Sequence, residues 1–464
     1  MTQAIVEIKT ESPQFAFGEQ QKVAIGSALQ LRRLIITGGA GSGKTTVISA
    51  IIKGLLRQDP DERIVLTAPT GKAAARITEA TGYHAITLHS ACGFFPVEGS
   101  DEMGMVPSEN IPVMTATTVI VDEASMCDES LMAGFSSRTP RKCRVILVGD
   151  PNQLPPVGAG YPFRDLINSG MVPRVHLDVC HRQQGKLLEN CYKVLAGDLD
   201  GLLVNPEDRT NNDWGMIPCS DEAIEESLKR LFTQGGCEKN FGIPCEELLV
   251  LTPLNTGPQG RARLNRIIQR AYHVSRGRSA PVYKFEDTLP DDEVLEGVNN
   301  EPKKGKKKFE RDQFVIGDKV IWTKNDAIQG LVNGDTGVVT GVGGDTVRVA
   351  WDNGMEKWVE PGINLNLGWV LTCHKAQGSQ YTKVLVVCSG KHATDRLSKI
   401  INRQWIYTAA TRSKKGSFFL GSERAFGKHV NTASMDNRQT YLSELLSKHA
   451  VNDREKLASS PWDE

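Results

Sequence analysis

An apolar run, Leu34-Ile-Ile-Thr37, leads directly into Gly38-Gly-Ala-Gly-Ser-Gly-Lys-Thr-Thr46 and then into a helical pattern from Val47 to Leu56. Strand, glycine loop and helix in that order satisfy the complete G-x-x-x-x-G-K-[ST] phosphate loop. Glycines at 38, 41 and 43 let consecutive backbone N–H groups turn inward around phosphate oxygens. Lys44 can reach the β and γ phosphates, and Thr45 offers a hydroxyl to Mg²⁺. A chain built this way is expected to fold as an α/β protein that binds ATP or a related triphosphate.

The chain has 464 residues, more than one hydrophobic core usually serves, so two to four domains are expected. Lysine plus arginine total 55 and aspartate plus glutamate total 55, so net charge neither indicates nor excludes a polyanionic partner. A local basic groove is enough to neutralise phosphates. The ten cysteines are scattered without a C-x-x-C pair or zinc-like spacing, which suits free thiols in a reducing compartment. No charged-then-apolar leader or membrane-length apolar run is present, and a cytoplasmic location is the expectation.

Short β-branched runs recur at Ile64–Thr67, Thr118–Val121, Arg144–Val148, Leu248–Thr252, Lys383–Val387 and Phe418–Leu420. Strands this apolar, separated by helical segments, imply parallel sheets covered on both faces, with ligands at the carboxyl ends of the strands. Two stretches break the alternation. Residues 91–112 carry Gly, Pro and acidic residues around Phe94 and Phe95 and form a small excursion from the first sheet. From 276 to 361 an acidic segment and a lysine run (Lys303, Lys304, Lys306, Lys307, Lys308) precede short strands with Asn-Gly turns, the pattern of a small antiparallel barrel inserted in the second sheet.

Two further elements carry chemistry. The strand ending in Asp122-Glu123 delivers two acids: Asp122 to hold Mg²⁺ through water, Glu123 to polarise the attacking water. The strand ending in Gly149-Asp-Pro-Asn-Gln153-Leu-Pro-Pro is followed by a stiff loop, in which the Gln153 amide can touch a γ-phosphate or simply complete a rigid turn.

The ordered set GGAGSGKTT, TAPTGKAAARI (67 to 77), ITLHS (86 to 90), DEAS and GDPNQLPPVGAG resembles a superfamily 1 DNA helicase, and more narrowly the B-class enzymes of the RecD and Dda type. Later segments agree: Cys180-His181-Arg182-Gln183, Thr252-Pro253-Leu254-Asn255, Asn333-Gly334-Asp335, Thr372-Cys-His-Lys-Ala-Gln-Gly-Ser379 and Tyr407-Thr-Ala-Ala-Thr-Arg412. The resemblance runs from about residue 17 to 421. It implies two RecA-like P-loop lobes with parallel sheets, a pin insertion in the first and an SH3-like β-barrel insertion in the second. The boundaries that follow are 1–90 and 113–172 for lobe 1A, 91–112 for the pin, 173–275 and 362–451 for lobe 2A, 276–361 for the SH3-like insertion and 452–464 for a tail.

Position by position, the resemblance gives Gln21 to the adenine edge and adds Thr46 and Gly378 to the nucleotide-binding set. Arg182 and Arg412 would reach the γ-phosphate from the second sheet. Pro69, Thr70, Lys72, Thr87 and His89 would hold the single-stranded backbone from the first sheet, and Thr372, His374 and Lys375 from the second. Phe94 or Phe95 would stack at the duplex junction, or else pack into the core. Relatives commonly carry an acid after Gln-Gly-Ser, where this chain has Gln380. The implied activity is ATP-dependent 5′ to 3′ translocation on single-stranded DNA with duplex unwinding, serving replication, recombination or repair. The implied agents are ATP, Mg²⁺, single-stranded DNA and its duplex junction. A monomer without membrane contact is expected, with replication or recombination proteins as possible partners. The alternative is an ATP-switched subunit of a recombination or nuclease complex.

Overall fold

A run of apolar residues on both faces of a strand leaves that strand no solvent side, so it must lie inside a sheet covered twice. In the computed structural model, β6 (Thr118–Val121) and β10 (Leu248–Thr252) are buried at every position. The structure describes residues 17–96, 105–107, 113–178, 185–281, 312–326, 329–362, 364–393, 401–433, 440, 442 and 444–446. Two compact units result: the described residues up to 178 with those from 440 onward, and residues 185–433.

In the first unit six parallel strands run in the order β3-β2-β6-β7-β1-β8: β1 (Arg33–Gly38), β2 (Ile64–Ala68), β3 (Ala85–Thr87), β6, β7 (Arg144–Gly149) and β8 (Arg174–Leu177). Alternate residues of one strand enter opposite cores. Leu34 and Ile36 of β1, Ile120 of β6 and Ile146 and Val148 of β7 join the cluster under the helices Glu19–Gln30 and Lys44–Gln58. Ile35, Val119, Val121, Val145 and Leu147 join the other, with Phe135 and Phe163. A short antiparallel ribbon, β4 (Phe94–Pro96) with β5 (Met105–Pro107), projects between β3 and β6. It lies where the pin was expected, although residues 97–104 and 108–112 are outside the described set.

The second unit holds five parallel strands in the order β16-β10-β17-β18-β9: β9 (Trp214–Pro218), β10, β16 (Val370–Thr372), β17 (Tyr381–Cys388) and β18 (Ser413–Gly421). The inserted segment forms a separate antiparallel sheet, β14-β13-β12-β11-β15, from β11 (Lys319–Trp322), β12 (Thr336–Gly343), β13 (Thr346–Trp351), β14 (Glu356–Val359) and β15 (Leu365–Leu367). Its pairings form an open ladder with β14 and β15 at the edges, around a small core of Val320, Trp322, Val339, Val349 and Trp351.

Three expected boundaries move. Strand β8 pairs with β1, so the first lobe extends to at least residue 177 instead of ending at 172. Strand β15 pairs with β11, which carries the insertion past 361 to 367. Both strands are short, and their three or four residues show too little periodicity to be read before pairing is known. Thr440 donates to Asp165 Oδ2 at 2.6 Å, so this residue, expected in the second lobe, packs with the first unit.

The nine described cysteines are free and, apart from half-buried Cys219, buried. Among the described residues no helix is long and apolar enough to cross a membrane.

Two buried histidines make the second unit acid-sensitive. Burial, with a smaller contribution from His429, pushes His392 down to about 3, and burial pushes His429 down to about 4. Both folded-state values lie below the unfolded value of about 6.5, so their stability is complete above that pH and is lost as pH falls toward 3. We expect the thermal midpoint to drop between pH 7 and pH 4. His392→Leu, which removes an imidazole with both nitrogens unpartnered, should flatten that slope; an unchanged slope would show that other groups dominate.

Candidate functional site

The carboxyl ends of β6, β7 and β1 are neighbours in the first sheet, and each hands its chemistry to the loop that follows. After β1 the backbone turns through Gly41 (φ 83°) and Gly43 (φ 82°), conformations open to glycine because it lacks a Cβ. Gly38 has a different reason to be glycine: a Cβ there would stand 2.4 Å from Ser42 Oγ. Lys44 opens the helix Lys44–Gln58, and its ammonium lies over the loop, donating to Gly38 O at 2.7 Å and Gly39 O at 2.9 Å. Thr45 is half-buried beside it and Thr46 is exposed.

Gln21 is 7% exposed and anchors the loop from behind. Its Oε1 accepts from Gly18 N at 3.0 Å and its Nε2 donates to Ser42 O at 3.2 Å. The expected adenine-edge residue is therefore tied into the phosphate loop, with one amide hydrogen and one lone pair left for a base.

Strand β6 ends in Asp122 and Glu123. The Asp122 N–H donates to Thr67 O on β2, and Asp122 Oδ1 accepts from Glu123 N at 2.9 Å. Burial pushes the Asp122 carboxyl up to about 6, the neighbouring Glu123 charge adding to it, while Lys44, the Glu123 N–H and Arg76 oppose. Glu123 is the one non-glycine residue with positive φ (52°) among the described residues, and its Oε2 is buried with no hydrogen-bond partner. Backbone strain of this kind costs on the order of 1–3 kcal/mol and persists where the surroundings enforce it.

Strand β7 ends in Asp150, fully buried, whose Oδ1 accepts from Asn152 N at 3.0 Å and whose Oδ2 faces Gln153 Nε2 at 3.5 Å. The Gln153 amide is thereby turned so that Oε1 is buried and unpartnered. The sequence reading did not single out Asp150; its signal is the Asp-x-x-Gln spacing, since aspartate side chains commonly bond backbone N–H groups two residues on. A divalent cation suits this corner: one hydroxyl at Thr45 and one buried carboxylate at Asp122 fit a Mg²⁺ ion that keeps waters and phosphate oxygens as its other ligands.

Threonine hydroxyls cap helices at positions in both units where the sequence leads one to expect strand contacts. Thr70, after β2, caps the helix Gly71–Thr81 by accepting from Ala73 N at 3.2 Å, and Thr372, the last residue of β16, caps Cys373–Ala376 by accepting from Lys375 N at 3.4 Å. Thr87 does the same for Leu88–Cys92. Pro69 is buried, whereas Lys72, His374 and Lys375 are half-buried. His89 is held below its ordinary value by burial, with Asp128 opposing, and its ring meets Phe94 edge-on at 6.0 Å.

Phe94 is a correction to the strand-binding set. It is 6% exposed inside the first unit's core, and a Cβ on Gly134 would overlap its ring, so it packs instead of projecting. The side chain of Phe95 and all of Arg182 lie outside the described residues. In the second unit Arg412 is 3% exposed, its Nε donating to Thr408 O at 3.1 Å and Nη2 to Thr411 Oγ1 at 3.3 Å. Gly378 takes φ 75° in the turn before β17.

The ionised Asp122 should destabilise the ligand-free fold. Its folded value lies above the unfolded one, so its stabilising contribution is full below about 3.8 and is lost as pH rises through 6. Asp122→Asn should raise the thermal midpoint at pH 7.5, by an increment that shrinks toward pH 5. A lowered midpoint at pH 7.5 would contradict the burial argument.

The family described as "AAA domain" matches residues 16–205, and the "UvrD-like helicase C-terminal domain" matches 367–420. The chain is 29% identical over 440 residues to the ATP-dependent RecD2 DNA helicase of Deinococcus radiodurans, covering 93% of this chain and 52% of that protein. It is 28% identical over 441 residues to the RecBCD enzyme subunit RecD of Mycolicibacterium smegmatis, covering 87% of this chain and 71% of that protein. The chain thus spans about half the length of the first of these relatives. In fold it is similar to the Pif1 helicases solved on forked duplex DNA (TM-score 0.51, 17% identity, 95% and 98% of the two chains covered) and to Pif1 of Candida albicans (TM-score 0.50, 21% identity, 95% and 100% covered). Both α/β units accordingly have RecA-like folds, and in sequence the chain is similar to helicases of the RecD type.

Proposed function

We propose that the chain is an ATP-driven motor that moves 5′ to 3′ along single-stranded DNA and opens the duplex ahead of it. The observation that carries this reading is the group of unsatisfied polar atoms beside the phosphate loop. Glu123 Oε2 and Gln153 Oε1 are both buried without partners, next to a lysine cradle and a carboxylate raised by burial. Groups held this way are costly unless a reactant completes them.

In the proposed reaction Lys44 neutralises the β and γ phosphates and the backbone N–H groups between Gly38 and Gly43 hold their oxygens. Glu123 accepts the proton of the attacking water. Gln153, oriented by Asp150, contacts the γ-phosphate and registers its departure. Thr45 and Asp122 would hold Mg²⁺, which supplies charge neutralisation at the transferring phosphoryl group. Arg182 and Arg412 are assigned the remaining positive charge, because a guanidinium suits the spread charge of a loose transition state.

The strand contacts follow from the capping threonines. A hydroxyl that accepts a helix N–H through one lone pair keeps its own proton to donate, so Thr70 and Thr372 can each bond a phosphate oxygen without reading sequence, and Thr87 can do so when Ser90 Oγ, 2.7 Å away, donates to it. Lys72 and Lys375 add charge, and His89 and His374 complete the two sets. Alternating grip by these sets during each ATP cycle converts hydrolysis into a step. Duplex opening is assigned to the β4–β5 ribbon through Phe95 and not Phe94.

A second reading, an ATP-switched subunit of a larger recombination complex, is favoured by the likeness to RecD subunits. Unwinding assays on the isolated chain separate the two, using DNA with a single tail at either end. Activity on 5′-tailed DNA alone supports the motor. Binding of ATP and DNA without unwinding supports the subunit. Lys44→Ala should lower hydrolysis by at least about 100-fold and stop unwinding, while Arg412→Ala should keep ATP binding yet stop turnover. Normal unwinding by Lys44→Ala ends the proposal.

A further inference from the structure

An insertion joined to its host by two chain crossings can swing unless side chains hold it. Here polar side chains, buried or half-buried, join it to the rest of the second unit. Along the helix Arg261–Val274, residues 265, 266, 269 and 273 fall on one face, and each meets the insertion or the strand that leaves it. Arg266 Nε donates to Asp312 Oδ1 at 3.1 Å, and Asp312 Oδ2 accepts from Leu367 N of β15 at 3.2 Å, so one carboxylate ties the helix to both ends of the insertion. Gln269 Nε2 donates to Gln313 O at 2.8 Å and to Asp318 Oδ2 at 2.6 Å. Asp318 Oδ1 lies 2.8 Å from His273 Nε2, with both side chains wholly buried, and Oδ2 also accepts from Val315 N at 2.7 Å.

The exit is held as firmly. Only Gly368 and Trp369 separate β15 from β16. Gly368 packs so closely on the backbone of Val320 that a Cβ would stand 2.9 Å from its carbonyl carbon. Trp369 is fully buried against Tyr272 and Phe232. Asn265 then pairs with both backbone groups of Val370 in β16, at 2.8 and 2.9 Å. From the other side Lys319 of β11 donates to Glu246 O at 2.8 Å, and Phe314 packs against the cores of both sheets.

We infer that Asp312 and Asp318 lock the antiparallel sheet onto the helix Arg261–Val274 and onto β16, so that the insertion and the Thr372–Lys375 segment at the end of β16 move as one rigid body. Asp318 acts as a positioning residue: it contacts neither nucleotide nor strand, and it holds the entry of the sheet at a fixed angle. Truncating a partner of a buried hydrogen-bonded group costs the groups that relied on it, here the Asp318 contacts of Gln269 Nε2, His273 Nε2 and the Val315 N–H together. The functional consequence rests on the motor reading above: a sheet that cannot swing presents one fixed wall to the strand gripped by Thr372, His374 and Lys375.

The test uses the full chain with dyes attached through non-canonical residues at two exposed positions, Arg270 on the helix and Asp345 at the far hairpin, read by single-molecule energy transfer. We expect one narrow efficiency, unchanged by an oligo-dT strand or by that strand with a non-hydrolysable ATP analogue. Asp318→Ala should broaden it. In parallel, Asp318→Ala should raise the oligo-dT concentration for half-maximal ATP hydrolysis about ten-fold, with turnover at saturating DNA within about two-fold of the unaltered chain. Should Asp318→Ala not fold, Asp318→Asn and Arg266→Met weaken the two carboxylate ties separately and are read the same way. A shift in efficiency when the unaltered chain binds oligo-dT overturns the inference. So does a folded tie-breaking variant with unaltered width and unaltered DNA response. Anisotropy of labelled oligo-dT reports strand binding independently: its absence counts against the motor reading, while the ligand-free comparison of efficiencies still decides the rigid joint.

Discussion

Burial of both faces of each parallel sheet is the constraint on which the rest of this molecule depends. Alternate side chains of β1, β6 and β7 enter opposite cores, so no mid-strand position is left for a polar group to face solvent or substrate. Chemistry is pushed to where strands stop. Lys44, Asp122 and Gln153 follow the ends of three adjacent strands, Thr70 follows the end of β2, and Thr372 is the last residue of β16. The first backbone N–H groups of the helices that start there have no acceptor within their own helix, which makes these ends suited to phosphate whether it belongs to a nucleotide or to a nucleic-acid backbone.

The same burial sets the energetic character of the site. A left-handed backbone at Glu123, a carboxylate raised to about 6 at Asp122 and an unpartnered amide oxygen at Gln153 each oppose folding. An unpaired buried polar group costs about 1–3 kcal/mol. These costs are tolerable because each group follows a strand that is buried along nearly its whole length. They are expected where a site is organised for a reactant and not for the resting chain.

The antiparallel insertion obeys a different rule. It has one small core and two open edges, and it cannot rely on layered helices to hold it in place. The half-buried Asp312 and the wholly buried Asp318 at its entry supply directional contacts instead. Direction is what hydrogen bonds to Asp312 and Asp318 add and apolar packing lacks, since hydrophobic contact fixes proximity but not angle.

What could be read before folding was local. The phosphate loop, the acid pair after β6, the proline-stiffened turn after β7 and the turns of β12–β13 each depend on residues within a few positions of one another, where spacing decides backbone conformation. Longer-range facts were closed to that reading. Phe94 has the same local surroundings whether it projects or packs, and only Gly134, forty residues on, makes room for its ring. Strands β8 and β15 are too brief to declare themselves and are recognised by their partners β1 and β11. The tie between His273 and Asp318 joins positions 45 apart across a junction of two sheets. Order along the chain therefore settled which chemical groups are available and in what local frame. Their burial, their partners and the extent of each lobe were settled only when distant segments met, because those properties belong to pairs of residues and not to any one stretch.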